Sequence, residues 1–273
     1  CDTETNTCVT PPCVPDVAPW TTLASTLPSP RTAFGLTTYN GFVYISGGAS
    51  GSTILNDVYR AQINQDGTLG TWIASGDLGP EGRQGHTMLA YNGKLFAIGG
   101  NGPTTHDFAS VLFAYTYGDG SITSWTATAS LVAGRFYHSS VAHNGFAYAI
   151  GGFPFADSQV APIDPDGQGS LGPWAYTTPI ALGQRWVHTS EVYNNFLYVI
   201  GGDGSPTNIS MTTMNGDGTL GSWSSIQGLP SAHSFHASAV NDGHLYILGG
   251  YTTGGINTND VLIAPFNVDG TLG

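Results

Sequence analysis

Apolar residues in this chain come in runs of about five, mixed with or bounded by polar ones, and they never hold a helical period for a useful length. Thr87-Met-Leu-Ala-Tyr91 is half apolar, Asn92-Gly93 follows as a tight-hairpin signal, and Lys94-Leu-Phe-Ala-Ile98 runs into Gly99-Gly100. After a variable loop comes a third run, such as Asp57-Val-Tyr-Arg-Ala-Gln-Ile63. A second hairpin signal follows, Asp66-Gly67-Thr-Leu-Gly70, and then Thr71-Trp72. The pattern predicts four short antiparallel strands per unit.

The unit recurs. Its double glycine stands at Gly47-Gly48, Gly99-Gly100, Gly151-Gly152, Gly201-Gly202 and Gly249-Gly250, spaced 52, 52, 50 and 48 residues apart. Trp20, Trp72, Trp125, Trp174 and Trp223 keep the same beat. A unit of about 50 residues cannot bury its own apolar face, so five must stack around one core. Four-stranded units repeated radially give a β-propeller, here all-β and five-bladed. Paired glycines fit where strands crowd the axis and backbones approach closely. Tryptophan fits the wide outer wedge between blades. The repeats lie near 31–72, 83–125, 135–174, 185–223 and 233–273. The last stops at Asp269-Gly270-Thr271-Leu272-Gly273, one step before its tryptophan, whereas Trp20 precedes the first. The strand at Trp20 is therefore expected to complete the C-terminal blade and close the ring, so that the propeller occupies 20–273. A longer protein cut between repeats is the alternative.

The order Arg-x-x-His, Asn-Gly-x-Leu-Tyr-x-Ile-Gly-Gly, Asp-Val and Trp resembles the kelch motif throughout 20–273. Two features depart from the familiar pattern: five countable blades rather than six or seven, and an unusually regular Asp-Gly-Thr-Leu-Gly hairpin. The resemblance implies a fold; many functions share it. Galactose-oxidase-like copper chemistry, which also uses a kelch propeller, is disfavoured because its cross-linked cysteine has no counterpart after Cys13.

Only 9% of residues are charged and the net charge is −12, with five arginines and one lysine, Lys94. So few cations argue against nucleic acid as a partner. No apolar run approaches the ~18 residues of a membrane-spanning helix. Residues 1–19 form a Cys/Thr/Pro-rich tail that carries all three cysteines, Cys1, Cys8 and Cys13. Clustered cysteines point to disulfides in an oxidising, extracytoplasmic setting, secreted or at the cell surface. Either Cys1 carries a lipid anchor and Cys8 pairs with Cys13, or Cys1 pairs with Cys8 and Cys13 bonds outside the chain. The tail has no histidine, so no metal is expected there, and nothing calls for a cofactor.

Four of the five arginines share one repeat position, in Arg31-Thr-Ala-Phe34, Arg83-Gln-Gly-His86, Arg135-Phe-Tyr-His138, Arg185-Trp-Val-His188 and the variant His233-Ser-Phe-His236. Arg83, Arg135 and Arg185 are candidates for a ring that binds carboxylates or acidic sugars. The competing expectation is that these arginines, with His86, His138, His188 and His236, bridge adjacent blades. Copies disagree at Phe136, Tyr137, Trp186 and Phe235, and aromatic loop residues Phe153, Phe155 and Tyr251 follow the Gly pairs. Aromatics beside hydrogen-bonding groups suit a sugar platform. The Asp-Gly turns offer too few oxygens each for calcium. Glu191 stands alone on an inner strand, where it either pairs with a ring arginine or looks into the channel.

These observations predict a non-enzymatic propeller that binds a glycan or an extracellular protein on its loop face. The alternatives are a homo-oligomeric assembly subunit that polymerises by terminal-strand exchange or tail disulfides, and a glycosidase-like hydrolase, for which no second carboxylate is nominated.

Overall fold

A computed structural model describes residues 22–164, 167, 169–180, 183–252 and 255–273. The described residues contain strands and no helix, arranged as successive antiparallel sheets. Blade one comprises Gly35–Tyr39, Phe42–Ser46, Asp57–Gln62 and Ile73–Asp77, hydrogen-bonded in that order. Blade two repeats it with Thr87–Tyr91, Lys94–Ile98, Val111–Tyr115 and Thr126–Thr128. Blade three has Ser139–His143, Phe146–Ile150, Ser158–Pro162 and Ala175–Thr177; blade four has Thr189–Tyr193, Phe196–Ile200, Ile209–Thr213 and Ser224–Ile226. Blade five contributes Ala237–Asn241, His244–Leu248 and Val261–Pro265. The molecule is a five-bladed β-propeller. Trp20, its expected strand and all three cysteines lie outside the described residues.

Each first hairpin turns on the residues the sequence nominates. Asn40-Gly41, Asn92-Gly93 and Asn144-Gly145 all have positive φ at both positions, the requirement of a tight turn matched to strand twist. Between blades, apolar side chains interleave. Leu89, Phe96, Ile98 and Phe113 of blade two meet Ala147, Ala149, Ala161 and Trp174 of blade three. Val141, Tyr148 and Ile150 meet Leu197, Val199 and Met214 in the next wedge. Two of the indoles bond to the neighbouring blade: Trp174 Nε1 donates to Ala129 O and Trp223 Nε1 to Thr178 O, each 3.0 Å away on the segment leaving the preceding blade. Trp72 Nε1 and Trp125 Nε1 are instead buried without a partner among the described residues.

The Gly pairs do what close approach demands. A Cβ on Gly47, Gly99, Gly151 or Gly201 would fall 2.4 to 2.7 Å from the carbonyl oxygen of Arg83, Arg135, Arg185 or His233 on the next blade. The following glycine donates its N–H to that same oxygen at 2.8 to 2.9 Å.

Imidazoles make the matching side-chain link. His86, His138, His188 and His236 are buried. Their Nε2 atoms meet Ser46, Thr87, Ser139 and Thr189 of the preceding blade at 2.8 to 3.1 Å. In blade one Gly35 stands where blades two to four carry the hydroxyl, and Ser46 supplies it from the second strand. Between blade five and blade one both partners change, with Ala237 in the place of Thr87, Ser139 and Thr189 and Phe34 in the imidazole position. Replacing both members of a buried hydrogen bond by apolar groups costs little, whereas replacing one leaves an orphan. Among the described residues no equivalent bond joins blade five to blade one.

Candidate functional site

The tetrapeptide opening each blade sets up the axis. Its third residue, Ala33, Gly85, Tyr137, Val187 or Phe235, has φ between 51° and 60°, a left-handed conformation that is costly for a β-branched residue such as Val187. A backbone belt holds it there. Gly85 N donates to Ala33 O, Tyr137 N to Gly85 O, Val187 N to Tyr137 O and Phe235 N to Val187 O, at 2.7 to 2.9 Å. The belt runs from blade one to blade five around a central channel of about 1060 Å³ lined by residues of all five blades, and is open between Phe235 and Ala33 among the described residues. Only Gly85 advertises the belt in sequence, and it has a second role. A Cβ there would sit 2.9 Å from Tyr137 Cδ1, so the tyrosine ring lies across a gap that only glycine leaves.

The tetrapeptide's second residue meets the residue after the Gly pair through a backbone bridge: Phe136 to Phe153, Trp186 to Asp203, Ser234 to Tyr251. This brings together aromatics far apart in sequence. Trp186 packs edge-on against Phe153 (5.8 Å between centroids), Phe153 is tilted against Phe136 (5.4 Å), and edge-on contacts continue from Phe136 to Tyr137 (5.1 Å), Tyr137 to Phe235 (5.8 Å) and Phe235 to Tyr251 (5.4 Å). The result is an unbroken arc on blades three to five. Blades one and two carry Thr32, Ala49, Gln84 and Asn101 in the corresponding places. Phe153, Phe235 and Tyr251 are 42, 51 and 39% exposed, large values for rings already packed on neighbours. Tyr137, Phe235 and Tyr251 also line the channel, so arc and channel form one continuous site.

The arginines lie elsewhere. Arg83, Arg135 and Arg185, expected as ligand contacts, are buried, and each turns back into its own blade. Arg83 Nη1 donates to Gly99 O and Nη2 to Ser110 Oγ, both at 3.0 Å. Arg135 donates to Gly151 O at 2.7 Å and to Asp157 Oδ1 at 2.5 Å. Arg185 donates to Val199 O at 3.2 Å and to Asn208 Oδ1 at 2.8 Å. Arg31 repeats the arrangement with Gly47 O and Asp57. The expected crown of guanidiniums is therefore corrected: these side chains tie the first strand to the loops of their own blade, because that is where carbonyls and carboxylates can replace their lost hydration. Burial lowers the pKa of Arg83 and Arg185 to about 10, and both stay protonated at neutral pH.

Glu191 pairs with no arginine. It lines the channel and accepts a 2.6 Å bond from Ser238 Oγ of blade five. Burial pushes its carboxyl above the usual range, and the serine bond partly offsets this. The imidazoles behind the channel wall are held neutral. Burial, reinforced by the neighbouring arginine, lowers His86 and His188 to about 3, and His138 falls well below its usual value. Burial and then His233 lower His236 to about 4. The Asp-Gly turns use their own carboxylates: Asp66, Asp119, Asp217 and Asp269 each accept from the backbone N–H and hydroxyl two residues on.

No family model matches the sequence. A stretch of 79 residues is 39% identical to the Rho GTPase-activating protein gacHH of Dictyostelium discoideum, covering 28% of this chain and 5% of that protein. The chain thus spans a small fraction of that relative's length. In three dimensions it is similar to the solved structure of YjhT, with a TM-score of 0.73 and 17% identity over 93% of this chain and 87% of that one. At that identity the likeness is one of fold: the chain is a β-propeller.

Proposed function

We propose that this protein is a kelch-like propeller that acts as a non-catalytic binding module outside the cytoplasm and takes a glycan at the aromatic mouth of its channel. The aromatic arc carries the reading. Six rings assembled from three blades, several half exposed, sit over a hydroxyl-bearing channel, which is the arrangement that stacks on sugar faces and hydrogen-bonds their edges. The sparse charge and the cysteine-rich tail support an extracytoplasmic setting. A non-catalytic role is supported by Glu191 having no second carboxylate among the described channel-lining residues, whereas glycoside hydrolysis generally uses two. A glycan array followed by titration tests the reading. Trp186→Ala, which removes the ring at one end of the arc, is expected to weaken the captured glycan about tenfold or more, as loss of an aromatic anchor does, with the melting temperature unchanged. Undiminished affinity in this variant would move the site away from the arc.

One observation favours a second role in assembly. The outer edge of Val261–Pro265, covered in blades one to four by a fourth strand, has no described partner, and Val261 and Ile263 are exposed. Strand exchange into this edge predicts that a chain lacking residues 1–27 loses its higher oligomers in light scattering yet keeps a folded monomer. Unfolding of the monomer would instead mean that the segment closes its own ring.

A further inference from the structure

Among the described residues, the channel is lined by one carboxylate, Glu191, and by no lysine or arginine. Glu191 Oε1 is held by Ser238, and its second oxygen has no hydrogen-bond partner among the described residues. The six cations of the sequence are all engaged elsewhere. Arg31, Lys94 and Arg135 form ion pairs with Asp57, Asp164 and Asp157. Arg60 bonds Ser75, and Arg83 and Arg185 bond Ser110 and Asn208. The imidazoles that line the channel are neutral, with Nε2 already bonded. Ser140, another lining residue, has a buried hydroxyl with no partner. Glu191 is half-buried, so its carboxylate gives up part of its hydration, and a cationic donor replaces that loss better than a neutral one.

The approach is also selective. Tyr137, Phe235 and Tyr251 line the same channel as Glu191, and aromatic faces attract cations. The net charge of −12 repels anions over the whole surface. One carboxylate matches a single positive charge, whereas a calcium ion needs six to eight oxygens. A neutral sugar hydroxyl can also bond the carboxylate, but only a cationic donor adds charge complementarity to that bond.

Building on the glycan reading above, we propose that the channel takes a sugar bearing a protonated primary amine, with the ammonium group bonded to Glu191 and the sugar ring held at the aromatic mouth. The ligand class is then an unacetylated amino sugar, and N-acetylation weakens recognition by removing the charge and adding bulk.

Isothermal titration with glucosamine oligosaccharides and with their N-acetylated counterparts tests this. The wild-type protein is expected to prefer the free-amine form by about tenfold or more, the scale of one hydrogen bond between charged groups. Glu191→Gln, whose amide oxygen can still accept from Ser238, should erase that preference while leaving thermal unfolding unchanged. Equal binding of the two forms by the wild type would overturn the proposal, as would a preference that survives Glu191→Gln. Failure of both forms while the array identifies a neutral glycan sensitive to Trp186→Ala would also overturn it, and would leave the glycan reading standing.

Discussion

Replacing Arg135 with methionine is expected to lower the melting temperature by about 10 °C without changing affinity for whatever binds the channel mouth. The side chain is 0% exposed, although its repeat position suggested a ligand contact. Its guanidinium satisfies Gly151 O and Asp157 and lies 5.2 Å from the Phe155 ring centroid. Methionine fills much of the volume, so the loss is the ion pair and the carbonyl left without a donor, about 3–5 kcal/mol for one partner of a buried pair. A domain of this size shifts by about 2–4 °C per kcal/mol, and Asp157 can recover water, which places the effect toward the lower end. Differential scanning calorimetry reads the first half and titration at 20 °C the second. An unchanged melting temperature with lost binding would return Arg135 to the ligand site.

Acid is expected to unfold the protein between about pH 6.5 and pH 4, ahead of most carboxylate titration. In the folded chain the pKa values of His86 and His188 are lowered to about 3, that of His236 to about 4, and that of His138 well below 6.5. In the unfolded chain all four return to the ordinary histidine value. Above that value neither state takes a proton and the full stability is present. Below it the unfolded chain binds protons that the folded one refuses, and stability falls by about 1.4 kcal/mol per pH unit for each imidazole, or about 5 kcal/mol per unit for four. Glu191 acts with the opposite sign, since its raised carboxyl binds a proton more readily when folded, but it is one group against four. The lowered carboxyls of Glu81, Asp66, Asp119, Asp217 and Asp269 withdraw their contribution only as pH falls further, through the ordinary carboxylate range. Urea midpoints at pH 7.5, 6 and 5 check the slope, and His138→Gln should make it shallower. A midpoint constant down to pH 4.5 would contradict the buried, neutral assignment.

The ring was legible where one residue type has one physical use. Asn-Gly could only turn a hairpin, paired glycines could only permit close backbones, and the tryptophan beat could only fill the outer wedge. The arginines misled because a shared repeat position does not say which way a long side chain turns. Their partners were nonetheless visible at a nearly constant distance: Asp57, Ser110, Asp157 and Asn208 lie 26, 27, 22 and 23 residues beyond Arg31, Arg83, Arg135 and Arg185. The simultaneous change to Phe34 and Ala237 was equally readable once hydroxyl and imidazole are recognised as a pair. The backbone belt was hidden, because Ala33, Tyr137, Val187 and Phe235 give no sign of left-handed φ; their neighbours impose it. Aromatic positions at the mouth were picked out because the repeats disagree there. Their joining into one arc needed the bridges from Phe136 to Phe153 and from Ser234 to Tyr251.

Ligand is predicted to bind against the arc, and the Trp186 indole reports on it. Of the tryptophans, Trp186 alone lies outside the position that recurs once per repeat. The difference in iodide quenching between wild-type protein and Trp186→Phe therefore isolates its indole. Saturation with the glycan selected on the array is predicted to abolish that difference, because a bound sugar covers the ring. A difference that persists unchanged at saturation would place the ligand elsewhere on the propeller and contradict the account.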